Sequence, residues 1–126
     1  MLATKICLKD RLTGLVEPHN TSNSTLLLKI IKNKLPDNRN VIYFSINHVR
    51  FNKTTLYEFI EELYLAYGIN TFFIDDIHQY KNWGREIKNV YDGFPEIKIV
   101  FSYKSDESLD KQHRDLSWRA RIFYLN

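Results

Sequence analysis

Glycine and lysine are missing from the one stretch where both would matter. From Val16 to Leu28 an apolar run passes into a polar turn and then into an amphipathic segment, yet neither residue type occurs between those two positions. All four glycines lie elsewhere, at positions 14, 68, 84 and 93. A phosphate-cradling loop needs glycines so that successive backbone N–H groups can surround the phosphates, and a lysine to reach their outer oxygens. Intact loop chemistry of that kind is therefore excluded. Cysteine occurs once, as Cys7, which rules out an internal disulfide and suits a reducing compartment. No run approaches the roughly 18 consecutive apolar residues of a membrane span, and the opening "MLATKICLKDRL" has no apolar secretory core. The expected location is the cytoplasm, so the three Asn-x-Ser/Thr patterns at Asn20, Asn23 and Asn52 are read as unmodified. Blocks of like charge are absent too. A net charge of +3 and a pI near 8.9 permit nucleic-acid contact without pointing to it.

What is present is a packed α/β pattern. The 126 residues, 44% hydrophobic and 14% aromatic, suffice for a single core and one domain spanning 1–126. Apolar runs alternate with helical periodicities, the rhythm of a parallel sheet. Strands are expected at "LTGLV", "NVIYFSI", "TFFIDDI", "IKIVFSY" and "ARIFYL". Between them, Leu27, Ile30 and Ile31 share one helical face, ended by Pro36. Leu56, Phe59, Ile60 and Leu63 share another, with Thr54 or Thr55 as N-cap and Gly68 as the stop. Trp83, Ile87, Val90 and Tyr91 form a third, ending near Gly93 and Pro95.

Polar residues gather after the apolar strands, at Glu17–Ser24, Asn47–Arg50, Asp75–Asp76 and Ser102–Ser105. In an open parallel sheet that edge is the ligand crevice. The order is strand–loop–helix first, strand–acid–acid third and strand–hydroxyl fourth. With "FFIDDIHQYKNW", "EIKNVYDGFPEIKIVFS" and "DLSWRA", the chain resembles the AAA-type P-loop ATPases, in particular the bacterial and archaeal group whose single-chain core is followed by a separate C-terminal domain. Their loop, roughly G-x-R-G-V-G-K-T-T-L-L, falls without a gap on Glu17 to Leu27. The resemblance implies a three-layer P-loop NTPase fold (RecA/AAA-like) with a mainly parallel, roughly five-stranded sheet and helices on both faces. It also implies Mg-ATP as the family's cofactor.

The same resemblance assigns roles position by position. Glu17, Asn20, Thr21, Ser22, Asn23, Ser24 and Thr25 take the place of the nucleotide-binding loop. Ser24 and Asp75 stand at the Mg²⁺-holding positions, Asp76 at the glutamate that orients the attacking water, and Ser102 and Ser105 at the phosphate sensor. Arg119 stands at an arginine that acts in trans. The departures carry more weight. Glu17 and Ser22 fill glycine positions and Asn23 fills the lysine position, which should weaken ATP binding by roughly 100-fold or more. Asp76 is one methylene shorter than the glutamate it replaces, Asn47 replaces an aspartate, and Trp118 replaces a second arginine. Tyr103 and Lys104 put bulky side chains where a sensor hydroxyl would approach, although Lys104 could stand in for the lost lysine.

The remaining candidates have simple structural readings. His19, His48, His78 and His113 lack zinc-ligand spacing, and the aromatic helix at 55–67 reads as core. The expectation is thus a degenerate P-loop ATPase core, inactive and without a cofactor, serving as a structural module or as the binder of an unidentified protein partner. The alternatives are a residual Mg-ATP-binding ATPase and a nucleic-acid-associated module.

Overall fold

The computed structural model describes residues 10–17, 40–51, 53–104, 115–116 and 118–124. Five strands form one sheet: β1 (Leu12–Glu17), β2 (Val41–Ser45), β3 (Thr71–Asp75), β4 (Lys98–Lys104) and β5 (Arg121–Tyr124). Their spatial order is β2-β3-β4-β1-β5, and every pairing is parallel. Parallel neighbours require crossovers between them. Two crossovers are described, α1 (Leu56–Tyr67) between β2 and β3 and α2 (Trp83–Gly93) between β3 and β4. The expected helix carrying Leu27, Ile30 and Ile31 lies outside the described residues, so the expectation of helices on both faces is met here on one.

Residue alternation explains how the sheet is packed. Ile42 and Phe44 of β2, Phe72 and Ile74 of β3, Ile99, Phe101 and Tyr103 of β4 and Leu12 and Val16 of β1 share one face by register. They join Leu56 and Ile60 of α1 and Trp83, Ile87 and Val90 of α2 in a single hydrophobic cluster. Leu15, Phe73 and Val100, on the opposite face, are also completely buried, so the sheet is covered on both sides. Strands buried on both faces read as near-continuous apolar runs, as these do. Gly14 faces the helical side, where an added Cβ would come within 2.7 Å of Ile122 Cδ1 and 2.9 Å of the Phe101 ring. The glycine is there because its neighbours lean across it.

Local signals set the helix ends. Thr55 closes a capping box with Glu58 and the C-cap Gly68 takes a left-handed conformation at φ 71°, both as their sequence positions imply. The N-terminus of α1 gains two further partners from outside the helix. The Leu56 N–H donates to Tyr80 Oη at 3.0 Å, and the Tyr57 N–H donates to Glu86 Oε1 at 2.9 Å. Tyr80 in turn donates to Glu86 Oε2 at 2.8 Å. Burial, followed by the nearby Glu86 carboxylate, pushes the Tyr80 hydroxyl above the ordinary tyrosine range.

At the other end of α2, Arg11 donates to the carbonyls of Tyr91 (2.9 Å), Phe94 (2.8 Å) and Ile97 (3.3 Å). Its guanidinium lies 4.1 Å from the centre of the Tyr91 ring. A cation at a helix C-terminus answers both the orphan carbonyls and the negative end of the dipole.

Candidate functional site

The C-terminal ends of β2, β3 and β4 meet at Asp75. The register pairs Ser45 with Asp75 and Ile74 with Phe101, so Ser102 follows beside Asp75. Asp75 is only 2% exposed. Its Oδ1 accepts from the Ser102 hydroxyl and from the Asp76 N–H at 3.1 Å, while the Tyr43 hydroxyl of β2 donates to Oδ2 at 3.2 Å. The Asp76 N–H is also 3.1 Å from Ser102 Oγ. Three strands are thus joined by side chains at their ends as well as by the ladder.

The two adjacent acids point to different destinations. Asp76 is the first residue past β3 and lies in the left-handed region at φ 56°, ψ 41°, which aspartate tolerates better than most residues. Its carboxylate stays partly exposed at the mouth of the sheet and accepts from Asn47 Nδ2 at 3.4 Å. After it comes a 3-10 turn, Ile77–Gln79, seated by buried Ile77. His78 Nδ1 accepts the Lys104 backbone N–H at 3.4 Å. That gives this histidine the structural role its sequence position suggested, while His48 is exposed in another 3-10 turn, Ile46–His48.

Not all the expected site residues share this place. Glu17 ends β1 in register with Lys104, at the same edge as Asp75. Asn20, Thr21, Ser22, Asn23, Ser24, Thr25 and Ser105 lie outside the described residues. Arg119 is at the opposite end of the sheet, since it precedes β5 and Arg121 pairs with Thr13 near the start of β1. There it forms a two-point ion pair with Asp92, Nε to Oδ1 at 3.0 Å and Nη2 to Oδ2 at 3.2 Å. The hydrogen bond from Arg119 holds the Asp92 carboxyl below the usual carboxylate range. Beside it is a surface depression of about 380 Å³ lined by Asp10, Trp118, Arg119, Ala120 and Arg121, far from the paired acids.

One expectation about β4 needs correcting. Tyr103 does not stand where a sensor hydroxyl would approach. The strand continues through Lys104, and the alternation turns Tyr103 into the core. Its ring centre lies 5.0 Å from that of Trp83 and 5.8 Å from that of Phe101. It is fully buried, and burial drives its hydroxyl well above the ordinary tyrosine range. Tyr43, by contrast, was not singled out in the sequence. The available signal was its phase: in "VIYFS", Tyr43 and Ser45 alternate with Ile42 and Phe44, which puts the half-buried Tyr43 on the same face as the strand-end Ser45.

A model of the family described as "AAA domain" matches residues 23–125 of the chain. The chain belongs to the AAA domain family. No curated protein matches it. A solved structure of PCH-2 from C. elegans is similar with a TM-score of 0.54 at 20% identity, over 94% of this chain and 36% of that one. At that identity the likeness shows the fold, an α/β P-loop NTPase sheet with flanking helices, and the chain spans only about 36% of the PCH-2 chain. Among the described residues of this AAA domain, no group of three or more His, Cys, Asp or Glu side chains is placed to hold a metal ion. No described helix is long and apolar enough to cross a membrane.

The donor set at Asp75 can be tested against Mg²⁺. That ion takes near-octahedral oxygen ligation and keeps several of its waters, so a carboxylate serving it needs an open oxygen lobe and space for water. Both Asp75 oxygens already accept protein hydrogen bonds, and the side chain is buried. As placed, Asp75 is engaged as a hydrogen-bond acceptor, and Ser24, the other expected Mg²⁺ position, lies outside the described residues.

Proposed function

We propose that this AAA domain is ATPase-like in fold and has lost or greatly weakened ATP binding, serving as a structural or protein-interaction module in a reducing compartment. The observation that carries the reading is the set Glu17, Ser22 and Asn23 at the glycine and lysine positions of the loop. A carboxylate near a triphosphate is repulsive, and each lost charge-assisted hydrogen bond costs about 1.5–3 kcal/mol. The engaged state of Asp75 supports the same conclusion from the other side of the crevice. The nucleic-acid reading gains nothing from three of the five described arginines, the other two being the exposed Arg50 and Arg85. Arg11 is committed to backbone carbonyls, Arg119 to Asp92 and Arg121 to Asp10 at 2.8 Å.

Calorimetric and thermal-shift titrations with Mg-ATP and Mg-ADP test the proposal, because a ligand that binds the native state alone must raise the melting temperature. The expected result is no shift at micromolar nucleotide in the natural chain and a gain of binding in Glu17→Gly/Ser22→Gly/Asn23→Lys. ATP hydrolysis by the natural chain that disappears in Asp76→Asn would overturn it. The observation that favours this second reading, a residual ATPase, is the partly exposed Asp76 carboxylate at the strand mouth.

A further inference from the structure

Trp118, which replaces a second arginine in "DLSWRA", lies away from the strand ends that gather Asp75 and Asp76. Its side chain is fully exposed, at 101%. Its φ of 69° lies in the left-handed region, where a bulky residue is an outlier. A lone exposed apolar side chain needs no explanation, but one that is also held on a strained backbone points to a use. The turn is pinned on both sides. Leu116 is buried ahead of it, the Leu116 carbonyl accepts from the Arg119 and Ala120 N–H groups at 3.0 and 3.2 Å, and Arg119 is fastened to Asp92 beyond it. The fold holds this indole out into solvent.

The depression of about 380 Å³ beside it is lined by Asp10, Trp118, Arg119, Ala120 and Arg121, and its size is that of a ligand cleft. Tryptophan and arginine are the residue types enriched among the side chains that carry most of the energy of protein interfaces. Hydrogen-bonding capacity here is one-sided, since indole and guanidinium N–H groups only donate. The acceptor among the lining side chains, Asp10, is engaged by Arg121 Nε at 2.8 Å, while the Arg121 side chain stays 61% exposed. A fitting partner therefore brings an acceptor for Arg121 and an apolar group for the indole face. A carboxylate next to an apolar side chain supplies both. A nucleic-acid strand could stack a base there, but its phosphates would meet the Asp10 carboxylate, and one depression is no basic track for a backbone.

We propose that the depression around Trp118 docks an acidic segment of a partner protein, in which an Asp or Glu stands beside an apolar residue. Trp118 packs on the apolar side chain and Arg121 binds the carboxylate. The proposal rests on the reading of this domain as a protein-interaction module and names its surface, at the opposite end of the sheet from Glu17 and Asp75.

The test is selection of short random peptides displayed on phage by the full natural chain, counter-selected with Trp118→Gly, then anisotropy titration of the selected peptides carrying a label. Selected sequences should place Asp or Glu next to a large apolar residue. Trp118→Gly and Arg121→Gln should each weaken binding by about tenfold or more, as loss of a central interface side chain does. Glycine accepts the left-handed φ without strain, so Trp118→Gly should melt no lower than the natural chain. A markedly lower melting temperature would make the tryptophan structural and overturn the docking role. Because Trp83 is buried, acrylamide quenching reads mainly Trp118 and should fall when peptide binds. The proposal is also overturned if no peptide is enriched over the counter-selection, if the enriched peptides are basic, or if Arg121→Gln binds them as well as the natural chain. Tighter Trp118-dependent binding of single-stranded DNA than of any peptide would assign the depression to nucleic acid, and Trp118-dependent self-association in sedimentation would assign it to a second copy. Either result overturns the acidic partner. Mg-ATP binding by the natural chain would instead refute the proposed function and leave a Trp118-dependent peptide site standing.

Discussion

At the C-terminal end of the strands a buried carboxylate, Asp75, accepts from the neutral donors Tyr43, Ser102 and the Asp76 N–H. At the N-terminal end a guanidinium, Arg11, is seated among neutral acceptors, the carbonyls of Tyr91, Phe94 and Ile97. Each charge is thus met directly by neutral dipoles. The true ion pairs, Arg119–Asp92 and Arg121–Asp10, sit near Arg11 but further out, where water screens them and exposed pairs contribute little. The contrast teaches that the more buried charges are solvated by dipoles of the fold, while the exposed salt bridges are peripheral.

Substitutions at the two ends should separate these cases. Asp75→Ala removes the acceptor from two hydroxyls and one N–H at once and should cost about 3 kcal/mol of unfolding free energy, read by urea denaturation. Arg11→Met keeps the aliphatic stem and strands the C-terminal carbonyls of α2. It should cost about 2 kcal/mol, because those carbonyls are only partly buried and water can recover some of the loss. A value for Arg11→Met well above that for Asp75→Ala would reverse the ranking of the two ends.

Between them, Thr13 supplies a control. Its side chain is fully buried and its hydroxyl has no hydrogen-bond partner among the described residues. Thr13→Val keeps the shape, removes an unsatisfied group, and should raise stability by about 1 kcal/mol. A loss instead would mean that the hydroxyl has a buried water to bond. The smallest effect belongs to Arg119→Ala, which should scarcely move the melting temperature at neutral pH and moderate salt. Because Arg119 lowers the folded-state pKa of Asp92, the pair contributes above the unfolded carboxylate's pKa and loses that contribution as pH falls through the folded value. The small difference between the natural chain and Arg119→Ala should therefore vanish in the acid limb of a pH series.

The sheet was readable because its strands are buried on both faces and bounded by turn residues, so that five apolar runs marked β1 to β5 within a residue or two. Thr55 and Gly68 announced the ends of α1 through chemistry that depends on a few neighbouring residues. What could not be read were matters of phase and of distant pairing. The expected strand "IKIVFSY" already held Tyr103, but placing Ser102–Ser105 on the family's sensor segment overrode the alternation that turns Tyr103 into the core. Tyr43 lies 32 residues from Asp75, and Arg119 lies 27 from Asp92. No local periodicity encodes such partners. The acid pair was located by its place at the end of a strand, but its division into one inward and one outward carboxylate follows from the left-handed backbone of Asp76, which an Asp-Asp dipeptide does not dictate.

The cap on α1 has a kinetic consequence. The amides of Leu56 and Tyr57 are protected by Tyr80 and Glu86, which the chain delivers only after it has passed through β3 and entered α2. First-turn helical amides ordinarily exchange with solvent by fraying, because no carbonyl precedes them. Here their exchange requires α2 and the preceding turn to move away. Deuterium uptake at these two positions therefore times the separation of α2 from α1, and makes the start of one helix a clock for the docking of the next.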